Sequence, residues 1–317
     1  MSKLAIIVPY INEYPQVLFT LRSIHEEMDG FDHEIIAVDN WCQENEEQGF
    51  IPDRAHDHID KEGKQAPSLV KTLAEKTTWL KYVRFDKVLS HWQCKDYAIA
   101  NTDANFFLFL DAHIVPGRES ISAAWDHYQY NYDYLHGTMG MPLTYHILEE
   151  NVLEYSFKPE LDKWFLSYSF CARKRVNSPT KEVPCHSMCG CFLGREHYDA
   201  MDGWGPGYGP YGGGENLMNF TLPTLGYKHH MWQGNPIFHH GERRGYRANQ
   251  YQIIANRAIA AYKYGGFKWL HNYLICSGLP GIYQLKVEKL VMETYKEPNR
   301  IVSIEEYISK WTSITTS

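Results

Sequence analysis

Long apolar runs are missing from this sequence. A helix that crosses a bilayer needs about 20 predominantly apolar residues, and no uninterrupted apolar stretch of the chain reaches that length. The first residues also lack the charged leader, long apolar segment and cleavage site of a secretory signal, because Met1 is followed almost at once by a short apolar run at residues 4–8. We therefore expect a soluble, cytoplasmic protein without stable membrane insertion.

An excess of basic residues is also missing. The chain has 31 Lys and Arg against 38 Asp and Glu, which gives a net charge of −7 at neutral pH. No global positive field attracts a phosphodiester backbone, so a nucleic-acid partner would need a local basic patch. Generic nucleic-acid binding is therefore disfavoured.

Cysteine is too scattered for a disulfide scaffold. The chain has seven cysteines, an odd number, and a protein of this size buries enough surface to fold without cross-links, so we expect a reducing compartment. Four side chains are spaced closely enough to suggest a zinc site: Cys185, His186, Cys189 and Cys191. Buried thiols are the alternative, and we interpret the pair His229-His230 as incidental.

Short apolar runs alternate with helical patterns along the first third of the chain. The runs, typical of buried parallel strands, are residues 4–8, 34–38, 80–85 and 106–110. The helical patterns cover residues 15–28, 67–76 and 93–101. This alternation predicts a doubly wound, mostly parallel α/β sheet with ligands at the carboxyl ends of its strands. The polar stretch at 41–65 is predicted to be a surface loop.

Asp111-Ala-His113 follows the most apolar of these strands. A carboxylate and an imidazole two residues apart can turn to the same side once a strand opens into a loop. Oxygen ligands suit Mg²⁺ and Mn²⁺, and the added imidazole favours Mn²⁺ or another transition ion. The pattern suggests a divalent metal that holds a diphosphate, whereas a capping aspartate beside an ordinary loop histidine is the alternative.

Four segments place this motif in a wider context: residues 7–13 (IVPYINE), 18–24, 34–39 (EIIAVD) and 107–113 (FLFLDAH). In order and spacing they resemble the signature of family 2 GT-A glycosyltransferases. Three later segments, at residues 189–195 (CGCFLGR), 201–204 (MDGW) and 213–217 (GGENL), are similar to a motif shared with polypeptide N-acetylgalactosaminyltransferases, which also use Asp-x-His.

The resemblance implies a GT-A fold: a mixed, mostly parallel sheet flanked by helices. The catalytic domain is expected at residues 1–245, with a nucleotide-binding half at 1–115 and an acceptor half at 116–245 that carries an insertion at 148–182. Residues 246–317 are expected to form a helical C-terminal extension packed on the core. The glycine-rich segment 203–214 is expected to close over a ligand.

On the nucleotide side, the resemblance implies that Asp39 binds the base and that Pro9 and Glu13 lie on the adjoining loop. Lys95 occupies the place of a family arginine. It keeps the positive charge that would contact the diphosphate, but it lacks the guanidinium group that binds two oxygens at once. Arg243 is available for a phosphate.

The third metal ligand of Asp-x-His relatives is a late histidine before an arginine. His239 and His240 both fit that description, with His239 slightly preferred because it follows an apolar strand tip.

On the acceptor side, Glu215 begins a predicted helix and Asp202 lies a short distance before it. Either carboxylate is a candidate catalytic base if the reaction inverts, whereas Glu215 grips donor sugar or acceptor if it retains. The same resemblance assigns four further residues to the substrate: Trp204, Gly213, Gly214 and Asn216.

The predicted function is metal-dependent transfer from a nucleoside diphosphate sugar, a UDP-sugar for preference, with Mn²⁺ or Mg²⁺. The acceptor is open between a glycan, a protein, a small molecule and a hydroxylated nucleobase in DNA. A nucleotidyltransferase is an alternative, although residues 8–13 lack the glycine-rich basic loop that such enzymes carry. The second alternative is a non-catalytic module that binds sugar nucleotides or carbohydrates. Oligomeric state is not indicated.

Overall fold

A computed structural model describes residues 3–11, 13, 15–40, 68–145, 154–240 and 249–314. Two predictions fall outside the described residues: the surface loop at 41–65 and the phosphate contact of Arg243. The strands are β1 (Leu4–Tyr10), β2 (His33–Asp39), β3 (Leu80–Arg84), β4 (Phe106–Phe109), β5 (Ile114–Pro116), β6 (Gly137–Gly140), β7 (Leu143–Thr144), β8 (Glu154–Asp162), β9 (Phe165–Ala172), β10 (Thr180–Val183), β11 (Cys191–Gly194), β12 (Lys228–Trp232) and β13 (Ile237–His239).

The helices match the predicted helical periods and add several in the second half. They are α1 (Gln16–Glu27), α2 (Leu69–Lys76), α3 (His91–Ala100), α4 (Ser120–Leu135), α5 (Arg195–Met201), α6 (Gly214–Thr224), α7 (Gln250–Cys276), α8 (Gly281–Thr294) and α9 (Ile304–Ile314). Among the described residues, none of these helices combines the length and apolar character that a bilayer crossing requires.

The large sheet has the order β10-β12-β6-β11-β4-β1-β2-β3. Strands β1 to β4 are parallel, whereas β11 runs antiparallel to both β4 and β6. The chain turns to opposite sides of β1 when it forms β2 and β4, and ligands of open α/β sheets bind at such a switch point, at the carboxyl ends of the strands. Asp39 ends β2 and Asp111 follows β4, so both carboxylates lie at this edge.

A second sheet, of order β5-β13-β7-β8-β9, adjoins that edge. Strand β13 pairs antiparallel with β5, in a register that sets His239 opposite Ile114. Residues 154–172, which fall in the predicted insertion, form the regular hairpin of β8 and β9. The second sheet therefore places β13 next to the loop that follows β4.

The C-terminal helices share the core of the large sheet. Side chains of α7, including Ile259 and Tyr264, belong to the same buried cluster as Ile7 of β1 and Phe109 of β4. A mixed sheet flanked by helices, with a helical C-terminal region, confirms the predicted fold class. The domain boundary at residue 245 stays a prediction.

The glycine-rich segment at 203–214 is anchored to the core, and its closure over a ligand stays a prediction. The Asp96 carboxylate accepts backbone N–H groups of Trp204 and Gly205. Asn256 of α7, fully buried, accepts the Gly209 N–H at 2.8 Å and donates to the Tyr211 carbonyl at 2.8 Å. A buried amide with several partners holds the backbone in place because breaking those bonds leaves polar groups unpaired.

We expect Asn256→Ala to lower the free energy of unfolding by about 3 kcal/mol, since it strands buried backbone groups of the glycine-rich segment. Asn272→Ala on the same helix removes only an exposed bond to the Lys268 carbonyl and should cost less than about 0.5 kcal/mol. Urea unfolding followed by circular dichroism measures both. Equal losses for the two variants would show that Asn256 does not anchor the segment.

Candidate metal and nucleotide site

Three side chains converge at the carboxyl edge of the large sheet: Asp111, His113 and His239. One ligand atom from each lies within 4.8 Å of the other two. The His239 Nε2 atom is 3.0 Å from Asp111 Oδ2, and the His113 Nε2 atom is 4.0 Å from the same oxygen. Within the part of the chain that the structure describes, no other group of His, Cys, Asp and Glu meets this spacing.

The pairing of strands explains this convergence. Asp111 and His113 sit in the turn between β4 and β5, and β13 lies alongside β5, so His239 reaches back over the turn. The next residue, His240, donates its backbone N–H to the His113 carbonyl, while its side chain is exposed and outside the cluster. Of the two candidate histidines, the geometry brings His239 to the aspartate.

The electrostatics of the cluster suit a cation. Burial acts to raise the pKa of Asp111, but the hydrogen bond with His239 and the charges of His239, His91 and His113 outweigh it and hold that pKa far below its usual range. One carboxylate oxygen and two imidazole nitrogens form a donor set that Mn²⁺ and other borderline divalent ions accept. The Nδ1 atoms of His113 and His239 are buried without a partner among the described residues. These residues fit a divalent metal.

His91 is a residue of this site that the motifs did not indicate. Its Nε2 atom lies 4.0 Å from Asp111 Oδ1 and accepts a hydrogen bond from Lys95 Nζ. The two side chains are one helical turn apart on α3, so they share a face. The four-residue spacing of His91 and Lys95 is visible in the sequence. His91 was not predicted because only Lys95 matched a position of the family motifs.

Lys95 is almost fully buried, which is rare for a lysine. Its ammonium group lies 4.8 Å from the Trp92 ring centroid and 5.7 Å from that of Phe109. Burial lowers its pKa to about 8, although the carboxylates of Asp111 and Glu215 act in the opposite direction. A buried cation directed at this edge of the sheet is a suitable partner for phosphate oxygens.

The residues predicted for the base lie at the ends of β1 and β2. Asp39 is buried and accepts a hydrogen bond of 2.7 Å from the Tyr82 hydroxyl. Pro9 lies beyond the part of β1 that pairs with β4. Its lack of a backbone N–H therefore interrupts no hydrogen bond between these two strands. The Glu13 carboxylate accepts the Ile11 N–H at 2.9 Å, so it shapes the loop after β1.

Glu215 lies in the first turn of α6 with both carboxylate oxygens engaged. The Tyr168 hydroxyl donates to Oε2, and the Met188 N–H donates to Oε1 at 2.9 Å. Its charge influences both Lys95 and Tyr145. The carboxylate is therefore held in place by these two hydrogen bonds, near Lys95 and Tyr145.

The other predicted catalytic residue, Asp202, lies apart from this group. Its side chain is 72% exposed and pairs with Lys263 at 3.3 Å. Trp204 is completely buried and donates to the Gly214 carbonyl, and Asn216 donates to the Leu166 carbonyl. Both side chains pack at the start of α6, and their predicted contact with the substrate stays a prediction.

The two predicted glycines have steric reasons for their identity. Gly213 has a φ of +74°, and a Cβ there would lie 2.7 Å from backbone atoms of Asn256. A Cβ on Gly214 would lie 2.2 Å from the Trp92 ring. Gly213 allows the start of α6 to lie close to α7, and Gly214 allows it to lie close to α3. This close packing brings Glu215 toward the site.

The cysteine and histidine cluster considered for zinc contains buried free thiols. Cys185, Cys189 and Cys191 are all buried and unpaired as disulfides, and burial raises the pKa of each thiol. The His186 ring contacts the Thr138 hydroxyl and the Ser187 carbonyl. Both ring nitrogens are thus used in hydrogen bonds. His229 joins the same buried network through Thr138 Oγ1.

Many solved structures resemble this chain, among them two with bound UDP or UDP-sugar. The crystal structure of GalNAc-T7 with UDP, GalNAc and Mn²⁺ matches all of the chain with a TM-score of 0.68 and 12% identity, and 57% of its own chain is covered. The structure of S. aureus TarS residues 1–349 in complex with UDP-GlcNAc matches 92% of the chain with a TM-score of 0.53 and 11% identity, and 71% of it is covered.

The chain has the GT-A glycosyltransferase fold. At this level of identity the likeness establishes the fold alone, and this GT-A chain spans little more than half the length of GalNAc-T7. No protein-family model and no curated protein sequence matches it.

We predict that His239→Ala abolishes specific Mn²⁺ binding and that His240→Ala retains it, since only His239 faces Asp111. Electron paramagnetic resonance of free Mn²⁺ during titration measures the bound fraction, and thermal unfolding checks that both variants fold. Loss of binding in His240→Ala with normal binding in His239→Ala would reverse the assignment.

Proposed function

We propose that this chain is a metal-dependent glycosyltransferase that uses a UDP-sugar as donor. The observation that carries the proposal is the cluster of Asp111, His113 and His239 at the switch point of a GT-A sheet. Two structures of the same fold were determined with UDP or UDP-GlcNAc, and this supports the choice of nucleotide.

In this proposal the three clustered side chains hold Mn²⁺ or Mg²⁺. When bound, such an ion offsets the negative charge that develops on the departing diphosphate. Asp39, buried at the end of β2, accepts a hydrogen bond from the N–H of the uracil base. Lys95 donates to a phosphate oxygen, and His91, which already contacts its ammonium group, holds it in position.

Glu215 then handles the sugar or the acceptor hydroxyl. Hydrogen bonds from Tyr168 and Met188 keep its carboxylate oriented, and each oxygen retains further capacity to accept a bond. A carboxylate so placed serves either as the base for an acceptor alcohol or as a grip on donor hydroxyls. The first role belongs to an inverting reaction and the second to a retaining one.

Aromatic rings beside the cluster support an acceptor position next to His239 in this proposal. Tyr145 packs edge-on against His239, with ring centroids 5.2 Å apart, and continues to Tyr155 and Phe170. Tyr145 is 37% exposed and Phe170 is 53% exposed. Such rings offer a stacking surface for a sugar ring or an apolar side chain. The net charge of −7 favours a glycan or protein acceptor over a base in DNA.

A screen of nucleoside diphosphate sugars with Mn²⁺ tests the proposal. We expect one UDP-sugar to raise the midpoint of thermal unfolding, because a ligand that binds the native state adds stability. The same UDP-sugar should be hydrolysed slowly and release UDP. Asp111→Asn combined with His113→Ala should fold and lose roughly 10²-fold or more of the hydrolysis. A folded double variant with full turnover would refute the assignment, and binding without any hydrolysis or transfer would indicate a non-catalytic module.

We further expect Glu215→Gln to reduce kcat by roughly 10²-fold and to leave UDP affinity unchanged, since its amide oxygen can still accept the Met188 N–H. Asp202→Asn serves as control and should keep wild-type kcat, because Asp202 is exposed and paired with Lys263. Steady-state kinetics with the donor found in the screen measures both variants. Loss of activity in Asp202→Asn alone would identify the other carboxylate as the catalytic one.

A further inference from the structure

A second concave site lies behind the β8–β9 hairpin. It is a cavity of about 380 Å³ between this hairpin, the edge strand β10 and the C-terminal helix α9. That volume is within the range of small-molecule sites, which is about 300–1,000 Å³. Its apolar lining includes Val183, Pro184, Met231 and Trp311.

The cavity is separate from the metal cluster. Side chains alternate across a strand, so the ring of Tyr168, which donates to Glu215, lies on one face of β9 while Cys171 lies on the other. Ser156 stands opposite Cys171 in the hairpin, and both line the cavity. A ligand here would occupy the reverse side of the hairpin from the sugar.

The rim of the cavity is positively charged. Lys158, Lys174 and Lys181 line it and are exposed, and none of them has an ion-pair partner among the described residues. The charges of Lys158 and Lys181 both reach the Cys171 thiol inside the cavity. Three unpaired ammonium groups around an apolar hollow are unusual in a chain whose net charge is −7.

The acidic residues nearby do not cancel this charge. Glu182 pairs with Lys310 at 2.6 Å and with Lys228 at 3.9 Å. Glu154 is shared between two arginines, one of which, Arg173, is 4% exposed and lines the cavity. The Arg173 Nε atom has no hydrogen-bond partner among the residues described. The carboxylates are therefore balanced by other cations, and the lysines retain a net positive charge.

We propose that this cavity binds a small amphipathic organic anion. Its hydrocarbon part packs between Val183, Met231 and Trp311, and its carboxylate, sulfonate or phosphate group lies among the lysines at the rim. Apolar walls supply affinity by removing hydrocarbon surface from water, and the lysines select for negative charge. The proposal does not depend on the glycosyltransferase reaction.

Calorimetry with naphthalene-2-sulfonate tests the site, with naphthalene-2-sulfonamide as the uncharged analogue of the same shape. We expect one sulfonate per chain, weaker binding of the sulfonamide, and weaker sulfonate binding at high salt because ions screen exposed charges. Lys158→Gln combined with Lys181→Gln should lower sulfonate affinity by roughly tenfold. Lys163→Gln, in the turn of the same hairpin but outside the lining, should leave it unchanged.

Protection of the Cys171 thiol from alkylation reports whether the ligand occupies this cavity. We expect naphthalene-2-sulfonate to slow alkylation of Cys171 by iodoacetamide, followed by peptide mass spectrometry, and to leave the rate at Cys276 unchanged, because Cys276 is exposed and outside the cavity. Equal binding of sulfonamide and sulfonate, unchanged affinity in the double lysine variant, or no protection of Cys171 would each overturn the proposal.

Discussion

The Asp111 carboxylate, set among the imidazoles of His91, His113 and His239, is the interaction on which the candidate site depends. A buried negative charge is costly unless positive or hydrogen-bonding groups surround it. Here those groups come from three separate parts of the chain: helix α3, the turn after β4 and strand β13. The site therefore exists only because the small sheet closes against the carboxyl edge of the large one.

The β8–β9 hairpin connects the metal site with the rear cavity. Its inner face carries the stacked rings of Phe157 and Tyr168, centroids 4.1 Å apart, and Tyr168 holds Glu215. Its outer face contributes Ser156 and Cys171 to the basic cavity. Because one pair of strands supplies both faces, the position of Glu215 and the shape of the rear cavity depend on the same backbone. The anchored glycine-rich segment fixes the start of α6, where Glu215 lies.

Much of the fold followed from local patterns. The apolar runs of β1, β2 and β4 and the helical period of α1 are strong because each element is buried in a regular way, so the parallel half of the sheet was predictable. The Asp-x-His motif at Asp111 and His113 was equally visible.

What the sequence did not resolve depends on long-range packing. The choice between His239 and His240 rests on the register of β13 against β5, which neither strand encodes alone. His91 joins the site because α3 packs across the end of β4. Trp204 matched a substrate motif but is buried against Trp92 and Phe109. The anchoring of the glycine-rich segment by Asn256, forty residues or more along the chain, is likewise not encoded in the segment itself.

A crystal structure of the protein grown with UDP and Mn²⁺, with anomalous data collected at the manganese edge, tests the central claim most directly. The account predicts one anomalous peak bonded to Asp111, His113 and His239 and adjacent to the UDP diphosphate. A peak at other side chains, or UDP bound away from the carboxyl edge of β1 and β4, would contradict it.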